Sequence, residues 1–143
     1  ELLQAIDDAG KIGTYQYVSL LIGVNNQYRG RSIDEFKTEF MQLAEKAIYF
    51  AGNKPQHVFV LSIPDWGQTP FGQASGCDTS QISQEIDSFN LATEKLCQRL
   101  QIRYWDITAI TRENSKNTLM HAEDGLHPSQ LMYEIWINTL FSH

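Results

Sequence analysis

The stretch "DGLHPS", residues 124 to 129, sets a carboxylate and an imidazole three positions apart. Gly125 lies between them and lets the backbone turn sharply, so Asp124 can accept a hydrogen bond from one ring nitrogen of His127. Such a bond fixes the imidazole tautomer and leaves the other nitrogen free to take a proton. Pro128 then fixes the exit of the chain and reads as the first residue of a closing helix. The spacing alone favours a plainer role, in which Asp124 caps that helix and His127 lies on the surface.

A second stretch, "LLIGVNNQYRG" (20–30), runs as an apolar strand to Gly23 and then presents two amides side by side, Asn25 and Asn26. An amide at a strand end can donate hydrogen bonds to negative charge developing on a carbonyl oxygen. Gly23 permits the turn that aims Asn25 inward, and Asn26 shapes that turn. Asparagine is also common in ordinary turns, so this stretch by itself reads more simply as a polar turn.

The elements that must position these groups alternate in type. Residues 1–9 read as a helix stopped by Gly10 and Gly13, and 17–23 as a strand buried on both faces because its apolar residues are nearly continuous. Ser32 and Glu35 form a capping box for a helix carrying Ile33, Phe36, Phe40, Leu43, Ala47 and Ile48 at helical spacing up to Gly52. A strand over 57–63 follows, then a long Gly/Pro/Ser-rich loop. A helix over 79–100 turns Ile82, Ile86, Phe89, Leu96 and Leu100 inward, and 102–107 is a third strand. After a polar connection, a last helix from Pro128 buries Leu131, Met132, Ile135, Trp136 and Leu140.

This order implies a three-layer α/β/α sandwich with a parallel sheet, and the length of 143 residues fits one domain over 1–143. In such sheets ligands bind beyond the carboxyl ends of the strands. The Gly23–Asn26 turn, the loop after Ile63 and the segment leading to His127 all fall there, so they are expected to meet in one pocket. Trp66, Thr69 and Phe71 either line that pocket or form a local lid.

Composition narrows the partners. The formal charge is −6 with no Lys/Arg cluster, which argues against nucleic acid or an anionic membrane. No apolar run reaches the roughly 18 residues of a membrane span. Cys77 and Cys97 fit neither a metal pattern nor a disulfide framework, and Cys97 reads as a small core residue. His57, His121 and His143 form no metal-spaced set, so neither metal nor cofactor is expected.

Taken together, "GVNN" after a strand and "DGLH" before the last helix resemble the SGNH/GDSL hydrolases, in particular bacterial lysophospholipase-like esterases. The third conserved block of that family, Gly-x-Asn-Asp, is matched by Gly23 and Asn25, with Asn26 standing where the family has aspartate. Its fifth block, Asp-x-x-His, is matched in full by Asp124 and His127, and "VLSIPDWGQTPF" adds to the likeness. The resemblance implies a flavodoxin-like sandwich and a serine esterase working through an acyl-enzyme on a small-molecule, lipid or sugar ester. Asn25 would be an oxyanion-hole donor, His127 the general base and Asp124 its orienting acid.

The family's Gly-Asp-Ser-Leu block, which carries the nucleophile, and the glycine of its second block do not occur in the sequence. Ser62 at a strand end, Ser129 two residues from His127 and Cys77 in a loop are poor substitutes. The expectation is therefore a domain N-terminally truncated relative to the family and inactive alone. Its 17–23 strand would have a bared edge, shielded by more chain or by homo-oligomerisation. A non-catalytic glycan- or acyl-binding module of the same fold stays open. A nucleotide-binding flavodoxin-like domain is weaker, because no Gly-rich phosphate loop follows a strand.

Overall fold

The structure is a computed structural model that describes residues 1–10 and 13–141; His143 lies outside the described residues. Three parallel strands, β1 (Val18–Leu20), β2 (Val58–Leu61) and β3 (Arg103–Trp105), pair in the order β1-β2-β3. Ser19 lies opposite Phe59, and Val60 opposite Tyr104. The helices are α1 (Leu2–Asp8), α2 (Val24–Tyr28), α3 (Ile33–Phe50), α4 (Pro70–Ala74), α5 (Thr79–Leu100), α6 (Thr108–Asn114) and α7 (Gln130–Phe141).

The period of two in β2 builds both faces of the sheet. Val58 and Val60 point to one side, where α3 and α5 close the main core over Phe36, Phe40, Ile86 and Phe89. Phe36 and Phe89 meet across the two helices at 5.0 Å between ring centroids. Leu61 faces the other side, against a smaller cluster of Ile107 at the start of α6, Met120 between α6 and α7, and Met132 and Trp136 of α7. Helices on both faces of a parallel sheet make the chain an α/β sandwich. Truncating a side chain as buried as Phe40 in such a core costs about 3–5 kcal/mol.

Local chemistry sets the ends of the two long helices. Ser32 and Glu35 exchange both bonds of the capping box at the start of α3, and Asp78 accepts from the N–H groups of Ser80 and Gln81 to open α5. Both supply acceptors for donors that the first turn leaves unpaired.

Four expectations need correction. The first strand is not buried on both faces: Tyr17 is 54% and Leu21 44% exposed, and Ser19 is exposed as well. β1 is an edge strand of the sheet, and the second helical layer covers the β3 side, where Phe141 of α7 packs edge-on to Trp105 at 5.2 Å. The loop after Ile63 contains a 3₁₀ turn over Trp66–Gln68 and then α4, opened by Pro70 with Thr69 as its cap. The polar connection after β3 contains α6. Finally, α7 starts at Gln130 rather than Pro128, because Pro128 forms an antiparallel bridge with His121 and the Ser129 hydroxyl accepts from Met132 N–H as a cap; Leu131 stays exposed. Among the described residues no helix is long and apolar enough to cross a membrane.

Candidate active site

The loop from His121 to Pro128 is closed at its base by the bridge between those two residues and by Ala122 N–H donating to the His127 carbonyl at 2.8 Å. Gly125 turns the loop with φ of +66°. Inside it, one carboxylate does two jobs. Asp124 Oδ1 accepts the backbone N–H groups of Leu126 and His127, both at 2.9 Å, and Oδ2 faces His127 Nδ1 at 2.5 Å. The side-chain bond from His127, then the two backbone N–H groups, pull the Asp124 pKa from 3.8 down to about 2. An ionised carboxylate can only accept, so Nδ1 carries the hydrogen and Nε2 keeps its lone pair for an incoming proton. With side chains 71% and 50% exposed, His127 and Asp124 are open to solvent. Asp124 does not cap α7, which starts at Gln130; its carboxylate bonds the N–H groups of its own loop and the ring of His127, which is exposed.

Beyond β1 the chain folds tightly over the core. Gly23 adopts φ of +117°, and a Cβ there would stand 2.8 Å from Ile63 Cδ1 and 3.0 Å from Phe36 Cε2. Only glycine fits, and α2 begins at the next residue, carrying Asn25 in its first turn. The two neighbouring amides then part company. Asn26 donates to Glu39 Oε2 at 2.7 Å and ties α2 to α3, while no described residue hydrogen-bonds the Asn25 amide.

Two buried polar residues that hydrophobic patterning does not reveal support the far wall. Gln27, 5% exposed, accepts from the Trp66 indole N–H at 2.7 Å and donates to Glu85 at 2.8 Å. Asp65 accepts from Gly67 N–H, the Ser83 hydroxyl and Arg112 Nε. Desolvation, the largest single influence on Arg112, pushes its pKa down, but its bonds to Asp65 and Asp87 outweigh that and hold it above its ordinary value. Neither Gln27 nor Asp65 sits in a sequence pattern that marks burial; each is drawn inside by partners distant along the chain.

Asn25, Trp66, Thr69, Phe71 and His127 line one cavity of about 530 Å³ beyond the carboxyl ends of the strands. Asp124 stands behind His127, Gly23 lies beneath the wall and Asn26 turns away from it. The Thr69 hydroxyl is engaged within the wall, donating to the Trp66 carbonyl at 2.6 Å and accepting from Gly72 N–H at 3.1 Å. Its role is to shape the lining through the α4 cap.

Neither Ser62 nor Ser129, the two serines that could stand in as nucleophile, has a free hydroxyl. Ser62 is buried and donates to Asp106, while accepting from the N–H groups of Ile107 and Thr108 and from the Thr108 hydroxyl. Ser129 donates to the Leu119 carbonyl at 2.6 Å. Ser115, on the cavity wall, donates to the Arg112 carbonyl. Among the described residues no serine hydroxyl is hydrogen-bonded to His127. Cys77 is exposed and outside the cavity, whereas Cys97 is buried and its thiol is pushed up to about 12, first by burial and then by Glu94. Among the described residues no three His, Cys, Asp or Glu side chains gather where they could hold a metal ion.

The arrangement can therefore orient an imidazole, present a free amide on the same cavity and enclose a mostly apolar group, all over one end of a parallel sheet. No curated protein matches the chain. The family model of the GDSL-like lipases and acylhydrolases matches residues 1–135, nearly the whole sequence, and the chain belongs to that family.

Proposed function

We propose that the protein is a serine esterase in which His127 is the general base, Asp124 orients it and stabilises the imidazolium, and Asn25 donates to the oxyanion. The observation that carries this reading is the pairing of Asp124 with His127 Nδ1 on a loop whose imidazole shares a cavity with the unpartnered Asn25 amide. In the first step His127 Nε2 takes the hydroxyl proton of a serine as that oxygen attacks the ester carbonyl. The carbonyl oxygen becomes negative within reach of Asn25. The imidazolium then returns the proton to the departing alcohol, leaving an acyl-enzyme that water clears by the same path. Since the hydroxyls of Ser62, Ser115 and Ser129 are engaged elsewhere, this reading takes its nucleophile from outside residues 1–143, and the isolated chain turns over no ester.

Hydrolysis of 4-nitrophenyl acetate by the full-length gene product and its His127→Ala variant tests the triad. Loss of at least a thousandfold in kcat is expected, and equal rates would end the reading. The engaged serines also favour a second reading, a non-catalytic acyl-binding module, which ester turnover by the full-length protein would remove. The exposed β1 edge, with Tyr17 and Leu21 on the surface, further supports self-association through that edge.

A further inference from the structure

Within the esterase reading, we infer that the acyl group of the substrate is an apolar chain rather than an acetyl on a sugar, and that Gln27 is the positioning residue that holds Trp66 as its wall. The cavity near Asn25 and His127 has no lysine or arginine on its surface. Its deeper polar side chains are turned toward the protein. Asp65 is held by Ser83, Gly67 and Arg112, Thr69 by Trp66 and Gly72, and Thr111 donates to the Thr108 carbonyl. His121 Nε2 donates to the Ser115 carbonyl. What faces the space is largely hydrocarbon, from Leu21, Val24, Leu126, Met120 and Met132. Such a surface takes up methylenes and offers little to the hydroxyls of a sugar ring, which would be desolvated without partners.

Trp66 supplies the flat side of this space, with the rings of Tyr28 and Phe71 at 5.4 and 6.4 Å. Core packing confines the buried indole, and the bond from Nε1 to Gln27 Oε1 fixes the direction of its edge. Gln27 is pinned in turn by Glu85, whose other oxygen accepts from Gln81. The chain Trp66–Gln27–Glu85 thereby couples the wall to the helix that carries Asn25.

The test is calorimetric titration of the full-length protein with octanamide, butanamide and N-acetylglucosamine, stable mimics that need no turnover. Each buried methylene adds about fourfold in affinity, so octanamide is expected to bind on the order of a hundredfold more tightly than butanamide, with N-acetylglucosamine weaker still. In Gln27→Met the preference for octanamide over butanamide should fall by roughly tenfold, the loss of two methylenes' worth of contact. Trp66→Leu, which tests the wall directly, should lose it as well. If Gln27 were merely structural, Gln27→Met would unfold at lower temperature with the preference intact, and that result overturns its assignment. N-acetylglucosamine binding as tightly as octanamide overturns the choice of substrate. An active, His127-dependent esterase without chain-length preference would sink this inference alone, whereas a strong preference in a protein without ester turnover would sink only the esterase reading.

Discussion

The backbone N–H of Phe71 donates to the carbonyl of Gly125 at 3.0 Å, so the loop holding Asp124 and His127 rests on the first turn of α4. One wall of the cavity thus supports the loop that carries His127. Gly125 is also cramped, since a Cβ there would lie 3.3 Å from Pro70 Cβ and its φ is +66°. Gly125→Ala should cost about 1–2 kcal/mol from the left-handed backbone alone, and thermal unfolding should report a Tm lower by several degrees. An unchanged Tm would mean that the loop has room the structure does not show.

The Asp124 carboxylate titrates at about 2 in the fold against an ordinary value of 3.8. A depressed pKa means that the folded state favours the ionised form, so the contribution is complete above about pH 4 and is lost as pH falls toward 2. Asp124→Asn should therefore unfold more easily than the parent at pH 6 and match it near pH 2. Denaturant unfolding at the two pH values checks this. A stability difference that persisted undiminished to pH 2 would contradict it.

Removing the Asn25 amide breaks no hydrogen bond in the fold, so Asn25→Ala should leave stability within about 0.5 kcal/mol of the parent. In the full-length protein the same change should lower kcat by about 10²–10³-fold while KM moves little. Steady-state kinetics on a 4-nitrophenyl ester separates the two constants, and an effect confined to KM would argue against oxyanion binding.

Ser62 offers the opposite case, a residue buried for architecture. Its oxygen accepts from two backbone N–H groups and a hydroxyl, so Ser62→Ala leaves these buried donors short of a partner at a cost of about 1–3 kcal/mol. Chemical denaturation should show the loss, and the ester hydrolysis rate per folded molecule should stay at the parental value. A rate falling a thousandfold in a well-folded variant would make Ser62 the nucleophile after all.

The exposed edge of β1 leads to a prediction about assembly. Residues 1–143 alone should sediment as a dimer or larger species, and Leu21→Lys, which places a charge beside the edge, should shift the population toward monomer. A stable monomer at high concentration in the unmodified chain would refute edge pairing.

Much of this was legible in the sequence where a pattern repeats often enough to be read. α3 and α5 each run for several turns with Phe36, Phe40 and Leu43, or Ile82, Ile86 and Phe89, returning to one face, and their caps are chemically distinct. α2, α4 and α6 span at most two turns, too short for any periodicity to show. The exposure of Tyr17 and Leu21 was hidden for another reason. An apolar run says what a strand can bury, while its neighbours decide what it does bury. In the site, Asp124 and His127 were legible because both belong to one short loop, and Asn25 because it follows a strand end. Gln27 and Asp65 were not, since a polar residue goes inside only when its partners meet it there. Gln27 finds Glu85, and Asp65 finds Arg112, 58 and 47 positions away.

The chain has three tryptophans. Trp66 and Trp136 line the cavity, whereas Trp105 lies in a row of rings across the sheet, stacked on Phe59 at 4.8 Å. Two of the three natural fluorophores thus watch the space where an acyl group would lodge, and the third looks elsewhere. Filling that space should change the total indole emission, so the protein carries its own optical gauge of occupancy.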